Sequence, residues 1–221
     1  MGVVIINTAF LDTTTMDKFY QIPVFIHEVF HILGFSDGIL GDLNMTIDVL
    51  INGVTHKAIK STGVVTYART FFGCNTLAWV PLENGGGSGS AASHFEKTLF
   101  PNEIMNPQAV SPMEISEFTI KVFEDMKDPT TDYKFYLSKT AYNPAQYYTA
   151  NKNAGCNVVT SLTTDNTRKE YCTTANTREC WTNPISKGYC YAGATFTGST
   201  IYLSGSKNNY CPIENTGKNE Y

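Results

Sequence analysis

The residues best suited to chemistry are His27-Glu28-Val29-Phe30-His31. Two histidines stand four apart, with a carboxylate directly after the first. On a helix, positions i and i+4 share one face, so both imidazoles can reach a single metal ion. Glu28 is turned by about 100° from His27, at ~3.6 residues per turn. It can hold a water beside the metal without becoming a ligand. This is the donor set of a zinc hydrolase. The same spacing also fits a core helix whose histidines are satisfied structurally, and the motif alone leaves both readings open.

The elements that would carry these residues follow from the apolar pattern. Residues 17–33 are apolar on most sides, which describes a buried helix. Pro23 requires that helix either to start near Ile22 or to kink there. Thr13 to Thr15 offer N-caps, and Gly34 stands where a glycine would end the helix and turn the chain. Before it, residues 3–6 are a short β-branched run expected as a buried strand. After it, Ile47, Val49 and Ile51 alternate up to Asn52-Gly53, a strong hairpin signal. His56 lies in the second hairpin strand and reads as a surface histidine without a carboxylate or histidine neighbour. Residues 62–72 are expected to be helical, with Thr62 as cap, and residues 114–126 form an amphipathic helix ended by Asp128-Pro129.

Residues 85–90, Gly-Gly-Gly-Ser-Gly-Ser, read as a flexible loop leading to His94. His94 is open to two readings, a solvated loop residue or a third metal ligand. Met105, in Glu103-Ile104-Met105-Asn106-Pro107, is by itself ordinary core filler.

Composition bounds the answer. The chain has 221 residues, is 42% hydrophobic and 16% charged, and carries a net charge of −4. A globular core is possible, and with no basic cluster nucleic-acid binding is disfavoured. The six cysteines form no CxxC pair. Five lie in the last third, a short-run, turn-rich segment that reads as disulfide-stapled in an oxidising compartment. Their number is odd, so full oxidation within the chain requires one bond from Cys74 to that tail. Asn44-Met45-Thr46 is a glycosylation sequon. No apolar run is expected to span a membrane. The first residues lack a basic n-region and the last are polar, so neither a signal peptide nor a lipid-anchor signal is read.

Taken together, these residues resemble the leishmanolysins, zinc metallopeptidases of the metzincin clan. Metzincins share HExxHxxGxxH and a Met-turn; leishmanolysins insert a long segment before the third histidine. Here Asp37 occupies the usual near position. Ser93-His94-Phe95-Glu96 resembles the displaced third-ligand motif, and Glu103 to Pro107 the Met-turn. Phe72-Gly73-Cys74 and Leu82-Glu83-Asn84-Gly85-Gly86 resemble the insertion, and Asn153-Ala154-Gly155-Cys156 the start of a disulfide-rich C-terminal region. The similarity runs from about Ile5 to Cys190.

The resemblance implies an α+β metzincin-like catalytic domain over residues 1–130, followed by a cysteine-rich domain over 131–221. It implies one Zn2+ held by His27, His31 and His94, with Glu28 as general base and Met105 as the floor. The activity implied is endoproteolysis of polypeptide substrates, at the cell surface or outside the cell, with cell adhesion as an associated role. The alternative is a catalytically weak or inactive surface or adhesion module, or a truncated paralogue, that retains the zinc site. The family also carries a signal peptide, a propeptide and several strands upstream, and by that comparison the chain reads as truncated at its N-terminus.

Overall fold

The computed structural model describes residues 21–109, 113–126 and 148–162, together with the backbone of three short strands at 178–180, 187–190 and 203–206. The strand expected at 3–6, the Thr13 to Thr15 caps and the Asp128-Pro129 stop lie outside the described residues. The chain forms two compact units, Met1–Thr163 and Thr164–Tyr221. The expected class holds: the described structure mixes helix and sheet.

In the first unit, α1 spans Gln21–Ile32 and α2 Asp37–Asp42. Pro23 sits in the first turn of α1, where its missing N–H costs no helix bond. The turn at Gly34 (φ 118°) closes α1 in a Schellman arrangement: Phe35 N–H donates to Phe30 O and Gly34 N–H to His31 O. A Cβ at Gly34 would stand 3.3 Å from the Ile39 side chain. Contrary to the expected buried helix, only His27 of α1 is buried, while Ile22 and Phe25 are exposed. Ile26 and Phe30 pack against the core. The stretch Gln21–Asp42 is long and apolar enough to cross a membrane by length and composition, which the sequence was not expected to contain. It consists of two helices with the Gly34 turn between them, and it carries His27 and His31.

The predicted hairpin is present. β1 (Thr46–Ile51) and β2 (Val54–Ile59) pair antiparallel, with Ile51 opposite Val54. Asn52 and Gly53 both have positive φ, as a two-residue type I′ turn requires. A two-residue β3, Val80–Pro81, extends the sheet on the β2 side.

In the core, α3 (Thr62–Phe72) packs against α4 (Glu117–Asp125), joined by residues of the sheet and loops such as Ile59, Leu82, Phe95 and Phe100. Phe71, Phe72, Phe100 and Phe118 form an aromatic cluster, edge-to-face except for the tilted Phe72–Phe118 pair, with ring centroids 4.8–6.1 Å apart. Such pairs contribute beyond the area they bury. Asp125, at the end of α4, accepts from Val64 N–H at the start of α3. Gly63 permits this approach, since a Cβ there would lie 2.4 Å from the Asp125 carboxylate.

Residues 148–162 belong to this same core. Tyr148 stacks on Phe71 and Phe100. Asn153 and Gly155 N–H groups donate to the carbonyls of Phe71 and Phe72, satisfying the end of α3. Cys74 is bonded to Cys156, which begins the short α5 (Cys156–Thr160), so the expected link from Cys74 to the tail is made. The second unit contains an antiparallel sheet of β4 (Arg178–Cys180), β5 (Lys187–Cys190) and β6 (Leu203–Ser206).

Candidate metal centre

His27, His31 and His94 converge. Their Nε2 atoms are 3.0 Å (His27–His31), 3.1 Å (His31–His94) and 3.2 Å (His27–His94) apart. Three separate backbone features hold the rings. His27 Nδ1 donates to Ile104 O at 2.6 Å, His31 Nδ1 to Phe35 O at 2.7 Å, and His94 Nδ1 to Ser90 O at 2.8 Å. A carbonyl can only accept, so each Nδ1 carries the proton and each Nε2 presents a lone pair.

Three lone pairs facing one another at this distance repel unless a cation lies among them. Burial works against a proton on two of the three rings. Burial, reinforced by the neighbouring imidazoles, pushes His94 down to about 4, and burial likewise lowers His27. A metal ion suits the set. Nitrogen donors at ~2.0–2.1 Å around a tetrahedral ion lie ~3.3 Å apart, close to the spacing seen here. Among the described residues this is the one cluster of three or more potential ligands.

His94 is delivered by a built loop. Glu83 is buried and accepts from Gly85 N–H and from Lys97 Nζ, both at 2.8 Å. Glu83 N–H donates to His94 O, and Phe95 N–H to Met105 O. The Gly/Ser run read as flexible is instead a hydrogen-bonded turn: Ser90 and Ala91 N–H groups both donate to Gly87 O. Gly86 (φ 83°) permits it, since a Cβ there would meet Ser90 Cβ at 2.6 Å.

Glu28 is exposed and follows His27 directly on α1. Met105 is fully buried in the turn whose preceding carbonyl, that of Ile104, orients His27. Asp37 is exposed and stands outside the triad; its N–H donates to Ser93 Oγ, next to His94.

His56 requires correction. It is buried rather than on the surface, and it does have a carboxylate neighbour, Glu96 Oε2 at 3.7 Å. The hairpin packs this face inward against the Leu82–Phe95 bridge, which carries Glu96 to it. The separation exceeds hydrogen-bond reach. Burial lowers the His56 pKa and raises that of Glu96. Both shifts work against the charged forms of the two groups.

Residues 1–197 match the family model of leishmanolysin, the M8 peptidases.

The chain belongs to the leishmanolysin family.

It is 29% identical over 177 residues to leishmanolysin of Leishmania tropica, covering 76% of this chain and 25% of that protein. It is 27% identical over 209 residues to leishmanolysin of Leishmania major, covering 86% and 33%. To the leishmanolysin homolog of Crithidia fasciculata it is 30% identical over 175 residues, covering 74% and 25%. The chain thus spans a quarter to a third of the length of these leishmanolysins. Sequence reasoning did not anticipate Glu83, Glu103 or the three carbonyls that orient the rings. The carbonyls leave no trace in residue type. The only signal for the two glutamates was a carboxylate within an otherwise apolar or turn-forming stretch.

Proposed function

We propose that this leishmanolysin-family chain is a zinc-dependent endopeptidase of metzincin type, acting on polypeptides. The convergence of three Nε2 lone pairs, each fixed by a carbonyl on the opposite nitrogen, carries the reading. His27, His31 and His94 would hold the ion. When bound, zinc would polarise the scissile carbonyl and acidify water.

The protein's own groups do the rest. Glu28, beside the triad and free of a ligand role, accepts the proton of the attacking water and returns it to the leaving amine. Met105 closes the site from below with apolar surface, and the turn that contains it keeps His27 in one tautomer. The disulfide from Cys74 to Cys156 supports an extracellular or cell-surface location. The associated role in cell adhesion rests on the family resemblance alone.

The test is Glu28→Gln, with zinc content and cleavage of an unfolded protein measured together. Retained zinc with lost cleavage supports the scheme; cleavage at the wild-type rate refutes it. Zinc binding by a wild-type chain that cuts nothing would favour the adhesion-module alternative.

A further inference from the structure

Glu103 is wholly buried, with no exposed surface, and the proposed chemistry does not use it. Its carboxylate joins two elements. Oε2 accepts from Met105 N–H. Oε1 accepts from Ser116 N–H at 3.2 Å, Ser116 Oγ at 2.7 Å and Thr119 Oγ1 at 2.5 Å. Ser116 is the N-cap of α4: its Oγ accepts from Phe118 N–H and donates to Glu103 Oε1.

All four donors therefore converge on one carboxylate, anchoring the 103–106 turn to the start of α4. Between the anchored residues 103 and 105 lies Ile104. Its N–H is tied to Glu114 O at 2.7 Å and its carbonyl receives His27 Nδ1. Met105 O receives Phe95 N–H, the residue after His94. The turn that Glu103 clamps thus governs one imidazole directly and the backbone beside a second.

We propose that Glu103 is a positioning residue for the metal centre: by holding the turn 103–106 on the N-terminus of α4, it fixes the Ile104 carbonyl and with it the tautomer and orientation of His27. A charge-neutral amide cannot replace it. A glutamine has one accepting oxygen and an NH2 group, which would confront the Met105 N–H or the Ser116 and Thr119 donors. The metal-binding part of this inference rests on the zinc reading above; the part concerning the His27 ring does not.

The experiment compares wild type with Glu103→Gln. In the metal-free chain, long-range 1H–15N NMR reports which His27 nitrogen is protonated. Zinc affinity and the Co2+ absorption spectrum report the assembled site. The expected result is mixed His27 tautomers in the folded variant, with zinc bound on the order of 10-fold or more weakly, the usual effect of losing a group that orients a ligand, and a shifted Co2+ spectrum. Unchanged His27 signals and unchanged zinc affinity in a folded variant would overturn the proposal. Should Glu103→Gln not fold, Thr119→Val removes one donor isosterically and Thr119→Ser keeps it. A weaker site in the valine variant, restored by serine, supports the proposal, and a valine variant identical to wild type in both measurements overturns it. If wild type binds no zinc, the zinc reading fails while the His27 signals still decide the role of Glu103.

Discussion

The carbonyl of Ile104 lies 2.6 Å from Nδ1 of His27, across 77 residues of chain. His31, one helical turn later, takes its orientation from Phe35, four residues on. Two donors on one helix are thus aimed by different parts of the fold. The helix sets their spacing, and the turn at residues 103–106 and the Gly34 turn set which nitrogen each offers. Loss of any of the three carbonyl contacts should therefore weaken metal binding without touching a ligand.

Gly86→Ala tests this at His94. The added Cβ would collide with Ser90, whose carbonyl holds the His94 ring, at a residue with φ 83°. Gly87 has φ 73° but open space around its Cβ position, so Gly87→Ala carries the backbone strain without the collision. Strain of this kind costs ~1 kcal/mol in either variant. Zinc affinity, measured by competition with a chromogenic chelator, should fall on the order of 10-fold in Gly86→Ala and less in Gly87→Ala. Equal affinities would show that the Ser90 contact is unimportant.

Zinc should stabilise the fold. Free zinc at 1,000 times its dissociation constant adds about 4 kcal/mol, equivalent to a rise in melting temperature on the order of 10 °C for a chain of this size. A scan with excess zinc against one with chelator checks this. His94→Ala should abolish the difference, and a difference that persists would place the ion elsewhere.

His56 predicts an acid limb of stability. Its folded pKa is depressed by burial below the ordinary value of 6.5. As pH falls through 6.5 the unfolded chain takes the proton first, so the contribution is full above 6.5 and declines below it. Leu82 O, Glu83, Glu96 and Lys97 surround the ring and act in opposing directions. The comparison is therefore with His56→Phe, by urea unfolding from pH 7.5 to 5. The difference in stability between the two proteins should shift in favour of the variant as the solution is acidified; a constant difference would show that His56 titrates normally.

Reduction should destabilise the first unit strongly. The cysteines at 74 and 156 are 82 residues apart, and closing a loop of that length contributes roughly 4–5 kcal/mol by chain entropy. Melting with and without a thiol reductant should differ on the order of 10 °C. A shift of only a degree or two would indicate that contacts such as Tyr148 on Phe71 suffice without the bond.

The sequence disclosed what local periodicity controls. The hairpin at Asn52-Gly53, the helix Thr62–Phe72, the Gly34 stop and the i, i+4 pair each follow from short-range rules. His94 was legible only through family resemblance, because no spacing links it to His31, 63 residues away. The misjudged residues share a cause. His56 looked solvated and α1 looked buried because burial depends on which face of an element meets the rest of the fold. Alternation in one strand does not reveal that. Residues 148–162 gave little periodic signal, yet they finish the core through backbone caps, the stacked Tyr148 and the buried Ala150, Val158, Val159 and Leu162.

The Cys74–Cys156 bond also has a consequence in time. All three imidazoles have been synthesised by residue 94, but the partner of Cys74 comes 82 residues after it. At 5–20 residues per second, roughly 4–16 seconds separate the two. Throughout that interval Cys74 is an unpaired thiol, and α3 awaits the donors that Asn153 and Gly155 supply to its last carbonyls. The histidines are thus available to a metal before the chain that locks their scaffold has been made.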